Sequence, residues 1–218
     1  MPEINLLKNY PKSKRKINAR AEKKTEAVRK IARQFGREYF DGERIYGYGG
    51  YYYHPRFWQP VIPDFVKRYN LTGKRSILDV GCGKGFMLHD FMALVPGITV
   101  AGLDISEYAI KNAMADVKPY LKLGNAKSLP YPDKSFDLVI SINTIHNLPL
   151  ADCKKALREI ERVSRKHSFI TVDAYRNEKE RKRMEDWNLT ALTYMSTKEW
   201  EELFAEVGYS GDYYWFIP

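Results

Sequence analysis

The chain has 218 residues, 44% of them hydrophobic, which is enough for one well-packed core and too short for two large domains. No apolar run reaches the length of a membrane span, and the N-terminal stretch lacks the apolar segment of a signal peptide, so we expect a cytoplasmic protein with no membrane partner. Only Cys82 and Cys153 are present, at no metal-ligand spacing, and we expect both thiols to be reduced.

The net charge of +9 is concentrated near the N-terminus. Between Lys8 and Arg37 lie twelve Lys or Arg residues and two Glu, so this segment carries +10 and the rest of the chain −1. Apolar residues at helical spacing predict an amphipathic helix over Asn18 to Tyr39, whose charges we interpret as a solvent-exposed face. Residues 1–40 are thus predicted to be a basic helical extension. The rest of the chain is nearly neutral, which argues against a nucleic-acid partner that binds across the whole molecule.

The stretch from Tyr46 to Trp58 has too many glycines for a regular element and too many aromatic side chains for a solvent-exposed loop. We predict a cap loop close to a ligand, which together with a lead-in helix from Pro60 to Tyr69 forms a unit over residues 41–70. A rigid loop packed in the core is the alternative. The candidate substrate-binding side chains in this unit are Tyr51, Tyr53, Arg56 and Trp58.

Residues 76–85, SILDVGCGKG, predict a buried strand and a glycine turn that leads into a helix from Phe86 to Val95. Such a turn lets backbone approach a ligand and leaves free N–H groups at a helix N-terminus. Because Phe86 occupies the last position of a G-x-G-x-x-G pattern, a pyrophosphate is disfavoured. The next predicted strand, Thr99 to Leu103, ends in Asp104, which can accept both hydroxyls of a ribose. A nucleotide-like ligand is therefore expected.

The rest of the chain alternates predicted helices and strands. The predicted helices are Glu107 to Val117, Asp152 to Arg165, Glu178 to Leu189, and one that opens with the capping box Ser196 and Glu199 and closes at Gly208. The predicted strands are Leu121 to Leu123, Phe136 to Ile142, Ser168 to Val172 and Tyr213 to Ile217. A further strand from Leu192 to Met195 is left open.

Three segments together, DVGCGKG, GLDIS and SFDLVISINTIHNL, resemble class I S-adenosylmethionine-dependent methyltransferases of the small-molecule, type 11-like kind. The resemblance implies a Rossmann-like, doubly wound α/β fold over residues 71–218, with a mostly parallel sheet of six or seven strands and S-adenosyl-L-methionine as cofactor. It places the cofactor on Asp79, Gly81, Cys82, Gly83, Asp104, Ile105, Asn125, Ala126 and Asn143. Asn125 replaces the family's usual acidic residue; its carbonyl can accept the same hydrogen bond, and an Asx turn is the alternative role.

Methyl transfer from a sulfonium is a direct displacement that depends mainly on positioning and on the exclusion of water. His146, just beyond the fourth strand, is the first candidate for a general base, and packing beside the cofactor is its alternative role. His54 in the cap loop is the second candidate. We predict no metal, because no Asp, Glu and His set has metal-ligand spacing.

The sequence thus predicts an S-adenosylmethionine-dependent methyltransferase of a small polar metabolite, with sugars and antibiotic or cell-surface intermediates as candidate classes. Residues 141–144 lack the Asn-Pro-Pro-aromatic signature of nucleobase methyltransferases, which favours a small acceptor. Three alternatives are left open. They are an RNA or protein methyltransferase that uses the basic arm as a clamp, an NAD(P)-binding oxidoreductase, and a binding module without catalysis.

Overall fold

The computed structural model of the protein describes residues 2–12, 21 and 23–218. In this part of the chain, helices flank a seven-stranded sheet, and no helix is long and apolar enough to cross a membrane. The strands are β1 Ser76–Val80, β2 Thr99–Asp104, β3 Leu121–Leu123, β4 Phe136–Ile142, β5 Ser164–Tyr175, β6 Met195–Ser196 and β7 Asp212–Phe216. The helices are α1 Glu26–Ala32, α2 Arg37–Asp41, α3 Ile62–Tyr69, α4 Phe86–Leu94, α5 Glu107–Lys111, α6 Leu150–Val163, α7 Glu178–Trp187 and α8 Thr197–Val207.

The sheet has the strand order β3-β2-β1-β4-β5, and both β6 and β7 pair with β5. All of these strand pairs are parallel. The predicted doubly wound fold is confirmed, and β3 and β4 have the predicted bounds. Of the strand left open from Leu192 to Met195, only Met195 is in a strand, namely the two-residue β6, which pairs with Ala174 and Tyr175 at the end of β5.

Successive side chains of β1 point to opposite faces of the sheet and so belong to two hydrophobic clusters. Ile77 packs in one cluster with Phe65 of α3. Leu78 packs in the other with Leu157 of α6 and Trp200 of α8. Full burial of side chains this large stabilises the fold by roughly 1.5–3 kcal/mol each. This double-sided core fixes the strand ends that carry the candidate site.

The predicted helix from residue 18 to residue 39 is corrected by the structure. Two short helices, α1 and α2, replace its described part, because Phe35 has the left-handed φ of 49° and interrupts the helix between them. Residues 18–20 and 22 of that prediction, and the basic stretch 13–20, lie outside the described residues. The division into residues 1–40, 41–70 and 71–218 stays a prediction, and Leu6 packs in the same cluster as Phe65.

The predicted helix from Glu107 to Val117 is also shorter than expected, since α5 ends at Lys111. The chain then turns back, and the Met114 N–H donates to the Lys84 carbonyl at 3.2 Å. Val117 is fully buried against the position that a Cβ of Gly85 would occupy. Met114 and Val117 therefore pack against the glycine turn instead of extending the helix.

Candidate active site

A cavity opens where β1, β2 and β4 end, at the carboxyl edge of the sheet, which is where open α/β sheets bind their ligands. Its empty space is about 780 Å³, the open mouth included. Polar and glycine residues from the strand ends line one side, and aromatic residues of the N-terminal segment line the other. We call the second set the aromatic wall, which consists of Phe35, Tyr39, Phe40, Tyr48 and Tyr51.

The glycine turn after β1 has a backbone that only glycine adopts without strain. Gly81 has a φ of 89° and Gly83 a φ of 55°. A Cβ on Gly81 would collide with the Thr144 side chain, and one on Gly83 would lie 3.4 Å from the ring of Tyr51. The Gly81 N–H donates to the Leu103 carbonyl at 2.7 Å, so the turn is held against β2. Because Gly81 and Gly83 carry no side chain, a ligand in the cavity can come close to the backbone here.

Asp104 at the end of β2 has a carboxylate that faces the turn and is only 8% exposed. Its Oδ2 accepts from the Gly83 N–H at 2.7 Å, and its Oδ1 accepts from the Ser106 N–H at 2.8 Å. Burial raises the pKa of Asp104, whereas these backbone hydrogen bonds act to lower it. Because each carboxylate oxygen accepts more than one hydrogen bond, capacity for two ligand hydroxyls is left.

Asp79 lies beneath the turn and is 5% exposed. Burial, with the neighbouring charge of Asp104, raises the pKa of Asp79 to about 7. This carboxyl group therefore changes its protonation near neutral pH. A cation bound in the cavity would favour the ionised form, because the interaction with a positive charge offsets part of the cost of burial.

Seven of the nine residues predicted to bind the cofactor line the cavity, namely Gly81, Gly83, Asp104, Ile105, Asn125, Ala126 and Asn143. Asp79 and Cys82 are buried below them, and the Cys82 sulfur packs against Gly102 of β2. The Oδ1 of Asn125 accepts from the Lys127 N–H at 3.1 Å, which is the Asx turn considered as its alternative role.

The loop after β4 contributes a polar group that sequence reasoning missed. Asn147 lines the cavity from a short 3-10 turn, Ile145–Asn147, and its Nδ2 donates to the Asn143 carbonyl at 3.3 Å. Because a carbonyl accepts hydrogen bonds only from a donor, the amide atom of Asn147 that faces it is Nδ2, and Oδ1 points the other way. This Oδ1 is buried and has no hydrogen-bond partner among the described residues. No periodicity or motif marks such an oxygen in advance.

His146 does not line the cavity, which corrects its expected place as a general base. It is 4% exposed, and its Nδ1 accepts from the Asp173 N–H of β5 at 2.9 Å. Burial lowers the pKa of His146, so the ring stays neutral at neutral pH. Its ring faces the sheet because the 3-10 turn rotates successive side chains, so that Asn147 takes the place at the cavity. His54 is exposed and also lies away from the cavity, with its Nδ1 accepting from the Arg56 N–H.

Of the four candidate substrate-binding residues, only Tyr51 lines the cavity. The hydroxyl of Tyr53 donates to Asp90 of α4 at 2.7 Å, which turns this side chain away from the ligand. The guanidinium of Arg56 stacks over the Phe57 ring, and Trp58 packs on Tyr10. These three placements correct the expectation, since the second half of the cap loop contacts α4 and the N-terminal residues instead.

The four wall residues other than Tyr51 were not predicted as site residues. Phe35 and Tyr39 were assigned to the inner face of one long helix, whereas the interruption at Phe35 turns them to the sheet edge. The Tyr51 ring stacks on Phe86 at a centroid distance of 4.8 Å and packs at a tilt of 36° against Tyr48 at 4.3 Å. The glycine that follows Phe35 was the one sequence signal for the break.

Comparison with known proteins gives a consistent result. A family described as "Methyltransferase domain" matches residues 78–172. Ajmaline N-methyltransferase of Rauvolfia serpentina is 37% identical over 106 residues, which cover 45% of this chain and 35% of that protein. The tRNA (carboxymethyluridine(34)-5-O)-methyltransferase of Arabidopsis thaliana is 33% identical over 144 residues, which cover 66% of this chain and 33% of that protein. The chain thus spans about a third of the length of these two curated relatives.

A solved structure with a similar fold is that of the YcgJ protein from Bacillus subtilis. It aligns with a TM-score of 0.54 at 22% sequence identity and covers 66% of this chain and 65% of its own. At this level of identity the similarity concerns the fold.

Proposed function

We propose that the chain is a class I S-adenosylmethionine-dependent methyltransferase, and that it transfers the methyl group of S-adenosylmethionine to a small polar metabolite with an O–H or N–H donor. The cofactor of this family supplies an activated methyl group on a sulfonium. The match to this family favours S-adenosylmethionine over the NAD(P) cofactor of the oxidoreductase that the sequence left open. The observation that carries the proposal is the cavity, which the glycine turn, Asp104 and Asn147 line together with the aromatic wall.

The residues on the sheet side fit this cofactor. Gly81 and Gly83 line the cavity without a Cβ, and Asp104 keeps free acceptor capacity at the place where a ribose is expected. Ile105, which follows Asp104, is 54% exposed at the cavity and offers an apolar surface for a flat base. We assign Asp104 to the ribose hydroxyls and the turn to the amino-acid part of the cofactor.

The residues on the wall side suit an acceptor that combines a flat or apolar body with a donor group. Aromatic rings bind such bodies by stacking and by excluding water. The buried Oδ1 of Asn147 is costly while it lacks a partner, and a donor on the acceptor would supply one. With His146 turned to β5, we assign catalysis mainly to the alignment of the acceptor atom and to water exclusion.

One labelling experiment tests the proposal. The protein is incubated with methyl-labelled S-adenosylmethionine and an extract of the cells that encode it, and the small-molecule, RNA and protein fractions are analysed by mass spectrometry. Label in a small molecule supports the proposal. If no fraction gains label and S-adenosylhomocysteine fails to raise the melting temperature, the methyltransferase assignment is wrong.

An RNA acceptor is the second candidate function, and one observation favours it. The segment with a charge of +10, Lys8 to Arg37, includes Phe35 of the aromatic wall, and a relative that matches 66% of this chain is named for its action on tRNA. Label in the RNA fraction, with a rate that falls steeply as salt is added, would establish this candidate in place of the small acceptor.

The Asn147→Leu variant should lose turnover while it keeps the cofactor. The substitution keeps the branched shape of the side chain and removes the one acceptor atom that we assign to the methyl acceptor, so we expect a rate at least about tenfold lower. Calorimetry with S-adenosylhomocysteine should give an unchanged affinity. The free protein should lose no more than about 0.5–1.5 kcal/mol, because the Nδ2 hydrogen bond to the Asn143 carbonyl is lost while the removed oxygen has no partner there. Full turnover in this variant would remove Asn147 from the site.

The affinity for S-adenosylhomocysteine should rise with pH between 6 and 8. Its α-ammonium group stays charged over this range and favours ionised Asp79, whose pKa in the free protein is about 7. Below that pKa, binding must release a proton from Asp79, so the affinity should be about tenfold lower at pH 6 than at pH 8. Calorimetry over this pH range checks the slope. The Asp79→Asn variant should show no such slope, and a slope that persists there would assign it to another group.

A further inference from the structure

A buried ion pair joins the glycine turn to the segments that carry the aromatic wall. Lys84 lies within the turn, yet its side chain is only 6% exposed. Its Nζ is 2.6 Å from Oδ2 of Asp41, whose side chain is 12% exposed. The same Nζ donates to the backbone carbonyl of Tyr51 at 2.9 Å. One ammonium group thus contacts both segments of the wall.

Asp41 is bound from three sides. Its Oδ1 accepts from the Tyr51 N–H at 2.9 Å, and its Oδ2 also accepts from the Tyr108 hydroxyl at 2.7 Å. The rings of Tyr52 and Tyr108 have centroids 5.4 Å and 5.8 Å from the Lys84 nitrogen. Burial acts to raise the pKa of Asp41, but the hydrogen bonds from Lys84 and Tyr51 outweigh it, and the net pKa is lowered. Asp41 is therefore ionised in this contact.

Neither Lys84 nor Asp41 lines the cavity, although their neighbours in sequence do. The rings of Phe40 and Tyr51 lie 3.7 Å and 3.4 Å from the position of a Cβ on Gly83. A buried ion pair is a poor source of net stability, because desolvation offsets most of the attraction, but its loss on one side leaves an uncompensated charge. Such a pair fixes geometry more than it stabilises the fold, and the geometry here is that of the wall against the turn.

We propose that Lys84 and Asp41 are positioning residues that couple the cofactor side of the cavity to its acceptor side. Lys84 belongs to the turn and Asp41 to the wall, so a ligand that orders the turn also orders the rings that face the acceptor. The coupling requires no contact of either side chain with a ligand. It rests on the proposed function, which assigns the turn to the cofactor.

The test combines calorimetry with hydrogen exchange, and S-adenosylhomocysteine is the probe. In the unmodified protein, the probe should slow the exchange of amides 48–53, which include the wall residues Tyr48 and Tyr51. In Lys84→Met we expect an affinity at least tenfold lower, about 1.4 kcal/mol, and saturating probe should no longer slow these amides. Lys84→Arg keeps the charge and should restore part of both effects. If Lys84→Met lowers the melting temperature but the probe still slows the exchange of amides 48–53, the ion pair has only a structural role and the proposal is overturned.

Lys154→Met is the matched control, because Lys154 forms an ion pair with Glu206 at 2.7 Å on the surface. It should leave the affinity and the exchange of amides 48–53 unchanged. If Lys84→Met does not fold, Asp41→Asn and Tyr108→Phe replace it, because both nearly keep the side-chain volume. In these variants too, the probe should no longer slow the exchange of amides 48–53. Unchanged affinity and slowing in these variants contradict the coupling alone. Absence of probe binding to the unmodified protein contradicts the proposed function, and the coupling with it.

Discussion

The Gly83→Val variant should fold and yet bind S-adenosylhomocysteine at least about a hundredfold more weakly, a loss of roughly 2.7 kcal/mol. The added Cβ fits in the free protein, since it would make only van der Waals contacts, with the Tyr51 ring at 3.4 Å and the Phe40 ring at 3.7 Å. With the cofactor present, the same space is needed by the ligand that approaches the turn. Calorimetry measures the affinity, and circular dichroism verifies the fold.

Gly208→Val separates this effect from backbone strain. Gly208 ends α8 with a φ of 72°, and no atom lies within 4 Å of the position of its Cβ. A non-glycine residue in this conformation costs at least about 1–2 kcal/mol, which lowers the melting temperature by several degrees at either site. Only the substitution at Gly83 should affect cofactor binding. Equal affinities in the two variants would place the cofactor away from the turn.

Local patterns were sufficient to predict most of the sheet. β4 has its predicted bounds because a run of apolar residues between turn signals is a local property of the chain. The capping box of Ser196 and Glu199 is present as predicted, with both reciprocal hydrogen bonds. The glycine turn and Asp104 could be placed together because the carboxyl ends of neighbouring parallel strands meet at one edge.

The wall side of the cavity could not be predicted in the same way, because tertiary contacts decide it. The helix predicted from Asn18 to Tyr39 is interrupted at Phe35. There the Ser106 hydroxyl donates to the Phe35 carbonyl at 2.5 Å, a contact between residues 71 positions apart. His146 and Asn147 are adjacent, and only the path of the 3-10 turn decides which of them faces the ligand. An error of one residue at such a turn exchanges a buried side chain for a site residue.

The Asp104→Ala variant should bind S-adenosylhomocysteine about tenfold to a hundredfold more weakly, because a hydrogen bond to a charged group contributes about 1.5–3 kcal/mol. Two causes contribute to this loss. The ribose hydroxyls lose their acceptor, and the Gly83 N–H, which Asp104 holds at 2.7 Å, is released, so that the turn loosens. Asp104→Asn separates the causes in part, since its amide oxygen can still hold one of the two backbone N–H groups.

A pair of ligands isolates the ribose contribution. Adenosine and 2′,3′-dideoxyadenosine differ only in the hydroxyls that we assign to Asp104, and a loosened turn affects both alike. The unmodified protein should prefer adenosine by about tenfold or more, and Asp104→Ala should bind the two with nearly equal affinity, because the preference depends on the carboxylate. Competition against labelled S-adenosylhomocysteine measures both ligands in one assay. If Asp104→Ala keeps the full preference for adenosine, another side chain reads the ribose, and Asp104 acts on the cofactor only through the Gly83 N–H that it holds.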